Sequence, residues 1–359
     1  MIARVFIPLP FDVWISAGQE YAAHRYRDAG YEITIHPLQK VGGTKRDTTP
    51  DELTIDGSPA VCASGLKIDF KKASFNRGET AKLDPPEELI SRTVNSFIGR
   101  LRYLLRAPHL QPIDLYKTNW QVFYYNDDET KLEEQEGLRT GYRTQTMQFS
   151  MAYAVATPDT WTKLHELGPG YELPLWAKLL LDGQYQAPHI GPIIVLSMTA
   201  LEVFISGMLD GLARAKKVSP DFWKWLIYRQ GQYLQEPSNE DRFDALLKFL
   251  VGHSLKEEKG LWTSFKQLKE ARNSVVHSGT ALIGKRARIK VDLQKALELS
   301  AEAWKITEKI GEWSPEELHW PAFAPPSRVQ AKQTIFRRQT SSTPERTTAK
   351  AVGESKKQG

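Results

Sequence analysis

Residues 261–280 read LWTSFKQLKEARNSVVHSGT, and the spacing of their apolar positions predicts a single helix. Leu261, Phe265, Leu268 and the pair Val275 and Val276 recur at the helical period, so they share one buried face. Arg272 falls on that stripe, where a leucine would be expected. A guanidinium in a core-facing position is costly unless a carboxylate or a bound anion satisfies it. Asn273 and His277 lie four residues apart, so their side chains stack on one face beside Arg272. Gly279 then ends the helix, because glycine accepts the left-handed backbone that closes helices. A cation, an amide and an imidazole converge where the helix stops.

The run Arg272-Asn273-x-x-x-His277 matches the Arg-x(4–6)-His signature of the HEPN superfamily (higher eukaryote and prokaryote nucleotide-binding helical domains), including the polar residue directly after the arginine. Two upstream segments resemble the helices of that family: residues 174–182 (PLWAKLLLD) and residues 193–209 (IIVLSMTALEVFISGML), the latter carrying Ala200-Leu201-Glu202. The resemblance covers the C-terminal helical region only. It implies either a metal-independent ribonuclease or a catalytically silent binding module, since the family holds both. For a ribonuclease it implies a composite site in which two copies of the motif meet across a homodimer. It also implies the biology of similar bacterial proteins, a toxin or antiviral effector that degrades RNA when triggered.

Glu202 is the expected partner of Arg272. It sits beside the apolar stripe Met198, Leu201, Ile205 and Met208 and so is expected to point inward. Residues 191–209 are close to membrane-spanning length, but Glu202 would be expensive in lipid, and a core helix is the expectation. A structural ion pair, with His277 as a helix C-cap favoured by the dipole, is the competing reading of the same residues. Past the motif, Lys285, Arg286, Arg288 and Lys290 place four cations in six residues. They are candidate phosphate contacts along a groove, or else a solvated connector.

Composition sets the outer limits. The hydrophobic share is 41% and the charged share 25%, ordinary for a globular chain. The net charge of +5 is misleading, because residues 328–359 carry eight Lys or Arg and two Asp or Glu, which leaves −1 for the rest. Basicity therefore belongs to the tail and is no argument for a nucleic-acid-binding body. One cysteine, Cys62, excludes an intramolecular disulfide and argues for a reducing, cytoplasmic setting. The opening MIARVFIPLPF has prolines in its only apolar run and is not expected to be a signal peptide.

The expected class is α+β: a β-rich N-terminal domain (1–168) with one packed helix, an all-α HEPN-like bundle (172–315), and a disordered basic tail (322–359). Leu66, Ile68 and Phe70 alternate with Lys67 and Asp69, and residues 147–155 alternate apolar with polar. Residues 31–35 and 120–125 are further strands. Asp84, Pro85 and Glu87 predict a helix start, followed by the stripe Ile90, Val94, Phe97, Leu101, Leu104 and Leu105, with Arg100, Arg102 and Arg106 near its exposed side. Residues 42–56 are expected to be a loop and 127–139 a charged hairpin loop. No nucleotide-binding glycine motif and no metal-ligand spacing of histidines occurs, so no cofactor and no metal is expected. The Leu167–Glu172 stretch LGPGYE marks the domain boundary.

An imidazole titrates near neutrality, with an ordinary pKa of about 6.5, and can act as base or acid. A guanidinium fork matches a phosphate. RNA, a second copy of the chain and a regulatory protein are the expected partners; a membrane is not.

Overall fold

The structure, a computed structural model, describes residues 2–38, 52–55, 58–72, 85–118, 120–126, 137–139, 155–227, 236–284 and 288–320. The N-terminal half is built on a twisted, mainly antiparallel sheet. Its central strand is β1 (Ile2–Ser16), flanked by β5 (Ser58–Lys71) and β6 (Trp120–Tyr125). The order continues outward through β3 (Tyr31–Ile35) to β2 (His24–Asp28) on one side and to β7 (Gly137–Arg139) on the other. β4 (Glu52–Ile55) pairs with β5, and the short β8 (Val155–Ala156) pairs with β1 in parallel. The expected loop over 42–56 is thus corrected at its end, where Glu52–Ile55 is a strand. Residues 147–154 and 127–136 lie outside the described residues, as does Asp84.

Period-two alternation decides which face is buried. Val5 and Ile7, Ile33 and Ile35, Leu66, Ile68 and Phe70, and Val122 and Tyr124 turn to one side. They form a core with Ile90, Val94, Phe97, Leu101, Leu104 and Leu105 of α1 (Glu87–Leu104) and the residue that follows it. Each such aliphatic or aromatic side chain contributes roughly 1.5–3 kcal/mol on burial. A second helix, α2 (Pro158–Glu166), joins this layer through Trp161 and Leu164. Sequence reading missed it, although Thr157 caps it by accepting from the Thr160 amide and Pro158 opens it. α1 starts without a side-chain cap, with Pro86 at the N-cap position.

The α1 arginines are a correction to the expected solvated face. Arg100 and Arg102 are 2% and 5% exposed. Arg100 ties the two helices of this layer together by donating to the Leu164 carbonyl at 2.8 Å, and burial pulls its pKa down to about 10. Arg102 reaches the helical half, donating to Asp182 at 2.8 Å. Arg106 pairs with Glu308 there and lies over the Trp304 ring.

The C-terminal half is helical. α3 (Leu175–Tyr185) and α4 (Ile190–Ala215) pack side by side, followed by α5 (Pro220–Ile227). Next come α6 (Asn239–Asp241), a π-helical segment (Arg242–Leu246) and α7 (Leu247–Val251). Ser238 and Asp241 form the capping box that the sequence announces. α8 (Lys259–Ser278) and α9 (Leu293–Glu312) complete the layer, joined by a hairpin of β9 (Leu282–Ile283) and β10 (Ile289–Lys290) where only a connector was expected. Among the described residues α4 alone is long and apolar enough to cross a membrane. Its apolarity is accounted for by packing against α3, α8 and α9, with Met198, Leu201, Ile205, Met208 and Leu212 all buried.

Candidate functional site

α8 ends as its sequence dictates. Gly279 adopts a left-handed φ of 71° and its amide donates to the Val275 carbonyl at 2.8 Å, which closes the helix. The buried positions of α8 are Phe265, Leu268 and Ala271. The core stripe therefore passes through Ala271, and Arg272 lies at its margin, with 34% of its side chain accessible. This corrects the expectation of a core-facing arginine. Glu202 is displaced in the same way: Leu201 and Ile205 fill the core while Glu202 sits at the edge, 25% accessible.

At that margin the structure brings together three of the four residues singled out as catalytic candidates. Arg272 donates from Nη1 to Asn273 Oδ1 at 3.0 Å and from Nη2 to Glu202 Oε1 at 3.5 Å. Glu202 Oε1 also accepts from Asn239 Nδ2 at 2.7 Å, its closer partner. One turn earlier Lys269 donates to Glu240 at 2.8 Å, so α6 and α8 are joined by a second polar link. Asn239 and Glu240 were not foreseen. They open the short α6, and no local signal tells that helix start to face α4. Arg242 extends the network by donating to Ser206 Oγ at 2.8 Å.

The guanidinium keeps donors on Nε and on both Nη atoms beyond these two bonds, and it is partly open to solvent. A phosphate oxygen is the natural acceptor for such a fork. Glu202 is too partnered to be a strong proton acceptor; its geometry is that of a group that orients Arg272.

His277 is placed apart. It is exposed in the last turn of α8 and has no hydrogen bond or ion pair among the described residues. Neighbouring Val276 is 59% exposed. The β9–β10 hairpin folds back on α8, held by the Gly284 amide donating to Glu270 at 3.0 Å. It carries exposed Arg288 and Lys290, with Ile289 61% exposed between them. Lys285 and Arg286 lie outside the described residues. Among the described residues no three His, Cys, Asp or Glu side chains cluster as metal ligands would.

No family model matches this chain, and neither does any curated protein or solved structure.

Proposed function

We propose that the chain is a metal-independent endoribonuclease of the HEPN type, a bacterial toxin or antiviral effector whose site is completed by a second copy. The observation that carries this reading is the division of labour at the end of α8. Arg272 is oriented by Asn273 and Glu202 yet retains donors for an anion, while His277 is presented to solvent on the same helix.

In the reaction a 2′-oxygen attacks the adjacent phosphorus as a base takes its proton. The bond from phosphorus to the 5′-oxygen breaks, and an acid protonates that oxygen. Arg272 stabilises the charge on the equatorial oxygens. One imidazole cannot hold both proton-transfer positions at once. A second His277, brought across an interface formed by the exposed Val276 and Ile289, supplies the other. The products are a 2′,3′-cyclic phosphate end and a 5′-hydroxyl end. The test is end-group analysis of RNA incubated with the protein in EDTA. Cyclic phosphate ends support the reading; 3′-hydroxyl ends, or a need for a divalent ion, contradict it.

A second reading is favoured by one observation. Arg272 already has partners inside its own chain, as a purely structural arginine would. Under it the helical half is a silent module that binds RNA, a nucleotide or a protein. The same incubation then leaves the RNA intact.

A further inference from the structure

The sheet has two faces, and only one is accounted for by the helices. The strand registers define the other. Arg4 stands opposite Asp69 and Phe123, Phe6 opposite Lys67 and Gln121, and Ile2 opposite Lys71 and Tyr125. On the far side, Glu32 and Thr34 pair with Lys71 and Asp69, and Arg27 and Arg25 pair with Glu32 and Thr34. All of these side chains point away from α1 and α2, because their neighbours in each strand fill the core. Phe6, Phe123 and Tyr125 are half-buried and belong to neither hydrophobic core. A sheet face meant only for water carries polar residues at such positions.

The charges on this face are one-sided. Arg4, Arg25, Arg27, Lys67 and Lys71 stand against Glu32 and Asp69, a net of three positive charges. This contrasts with the near-neutral body as a whole. The face is also organised. Arg4 makes a two-pronged pair with Asp69 at 2.7 and 2.8 Å, and His36 reaches the same carboxylate at 2.8 Å. Fixed in this way, the Arg4 guanidinium lies 4.4 Å from the centre of the Tyr125 ring. The Phe6 and Phe123 rings meet edge to face at 5.5 Å. Planar groups on the central strands are thus flanked by cations on the outer ones, across five strands that span roughly 19 Å at a spacing of about 4.8 Å.

We propose that this outer face of the sheet binds single-stranded RNA, with bases stacking on Phe6, Phe123 and Tyr125 and phosphates running past Arg25, Arg27, Lys67 and Lys71. Stacking on aromatic side chains tolerates any sequence, and cations along the backbone path supply the salt-dependent part. A duplex hides its base faces and cannot use such a platform. The proposal is independent of the helical site, because binding needs no cleavage.

The experiment is fluorescence anisotropy with the full-length His277→Ala chain, which removes cleavage from the readout. The probes are a labelled single-stranded oligoribonucleotide of about 12 nucleotides, the DNA strand of the same sequence, and the RNA duplex. Saturable binding of the RNA strand, tighter than that of the duplex, is expected. Phe6→Leu with Phe123→Leu weakens it about tenfold or more, consistent with the loss of two stacking rings. Arg25→Gln with Arg27→Gln, both at exposed positions and so without effect on folding, weakens it and flattens its salt dependence. Affinity unchanged in both double variants overturns the proposal, since the basic tail would then be the binder. Tighter binding of the duplex overturns it as well. So does recognition of the DNA strand alone, or the absence of saturable binding by either strand.

Discussion

The Arg272 guanidinium approaches the Glu202 carboxylate at 3.5 Å, at the rim of the α4–α8 contact and not inside it. That position sets the energetics. A buried pair that loses one partner costs about 3–5 kcal/mol, whereas a pair as accessible as this one contributes roughly 1 kcal/mol or less. Glu202→Gln retains an oxygen for Asn239 and should lower the unfolding free energy by about that amount. Urea denaturation measures it. A loss of the buried-pair size would mean that the two charges are sealed from water.

The link between the two halves predicts a larger effect. The Arg102 side chain is 6% accessible and reaches Asp182 from one core to the other. Arg102→Ala removes both packing and a charge-assisted bond and should cost about 2–3 kcal/mol. Asp182→Ala should cost less, because that carboxylate is 47% accessible and returns easily to water. Equal losses in the two variants would contradict this asymmetry.

Acid should loosen the N-terminal half earlier than its carboxylates would. His24 is 3% exposed, against the rings of Trp161 and His165. Burial first, then His165 and Arg100, lower its pKa from 6.5 to about 4. The unfolded chain therefore binds the proton more readily than the folded one. The associated stability is fully present above about pH 6.5 and is lost as pH falls toward 4, by the order of 3 kcal/mol. Asp69 does not share this window. Burial would raise its pKa, but bonds from Arg4 and His36 prevail and hold it at about 2, so its loss begins only below 3.8. Chemical denaturation at pH 7, 5.5 and 4.5 should show the decline, and His24→Phe should remove most of it. An unchanged pH profile in that variant would assign the decline to other groups.

Long periodic segments were legible in the sequence because a buried face imposes its period. Residues 31–35, Trp120–Tyr125 and the alternation through Leu66, Ile68 and Phe70 all reappear as strands. The end of α8 at Gly279 was equally plain. β1 was hidden by Pro8 and Pro10, which sit where its register shifts against β5. α2 was too short to show a stripe. The α1 arginines misled for a different reason: nothing along α1 shows that α2 and α3 will cover its second face. Within the site, the pairing of Arg272 with Glu202 followed from charge and helix phase. The rim position did not, because a phase error of one residue exchanges Ala271 for Arg272. Asn239 depended on tertiary placement and left no local trace.

A composite site requires two copies. Val276 and Ile289, 59% and 61% exposed on either side of the α8 terminus, are the apolar surface from which such an interface would be made. Light scattering on the full chain should give twice the monomer mass, and Val276→Glu with Ile289→Glu should return it to the monomer and abolish RNA cleavage. A fully active monomer would remove the need for a second imidazole.

The central claim is that His277 moves a proton during RNA cleavage while contributing little to folding. Its exposure at the end of α8 means that His277→Ala should change stability by roughly 1 kcal/mol or less. The decisive measurement compares wild type and His277→Ala on total RNA in EDTA, at matched mass and matched melting temperature. The account predicts cleavage by wild type and none by the variant. Equal cleavage by both proteins, or intact RNA with an activated wild-type dimer, would contradict it.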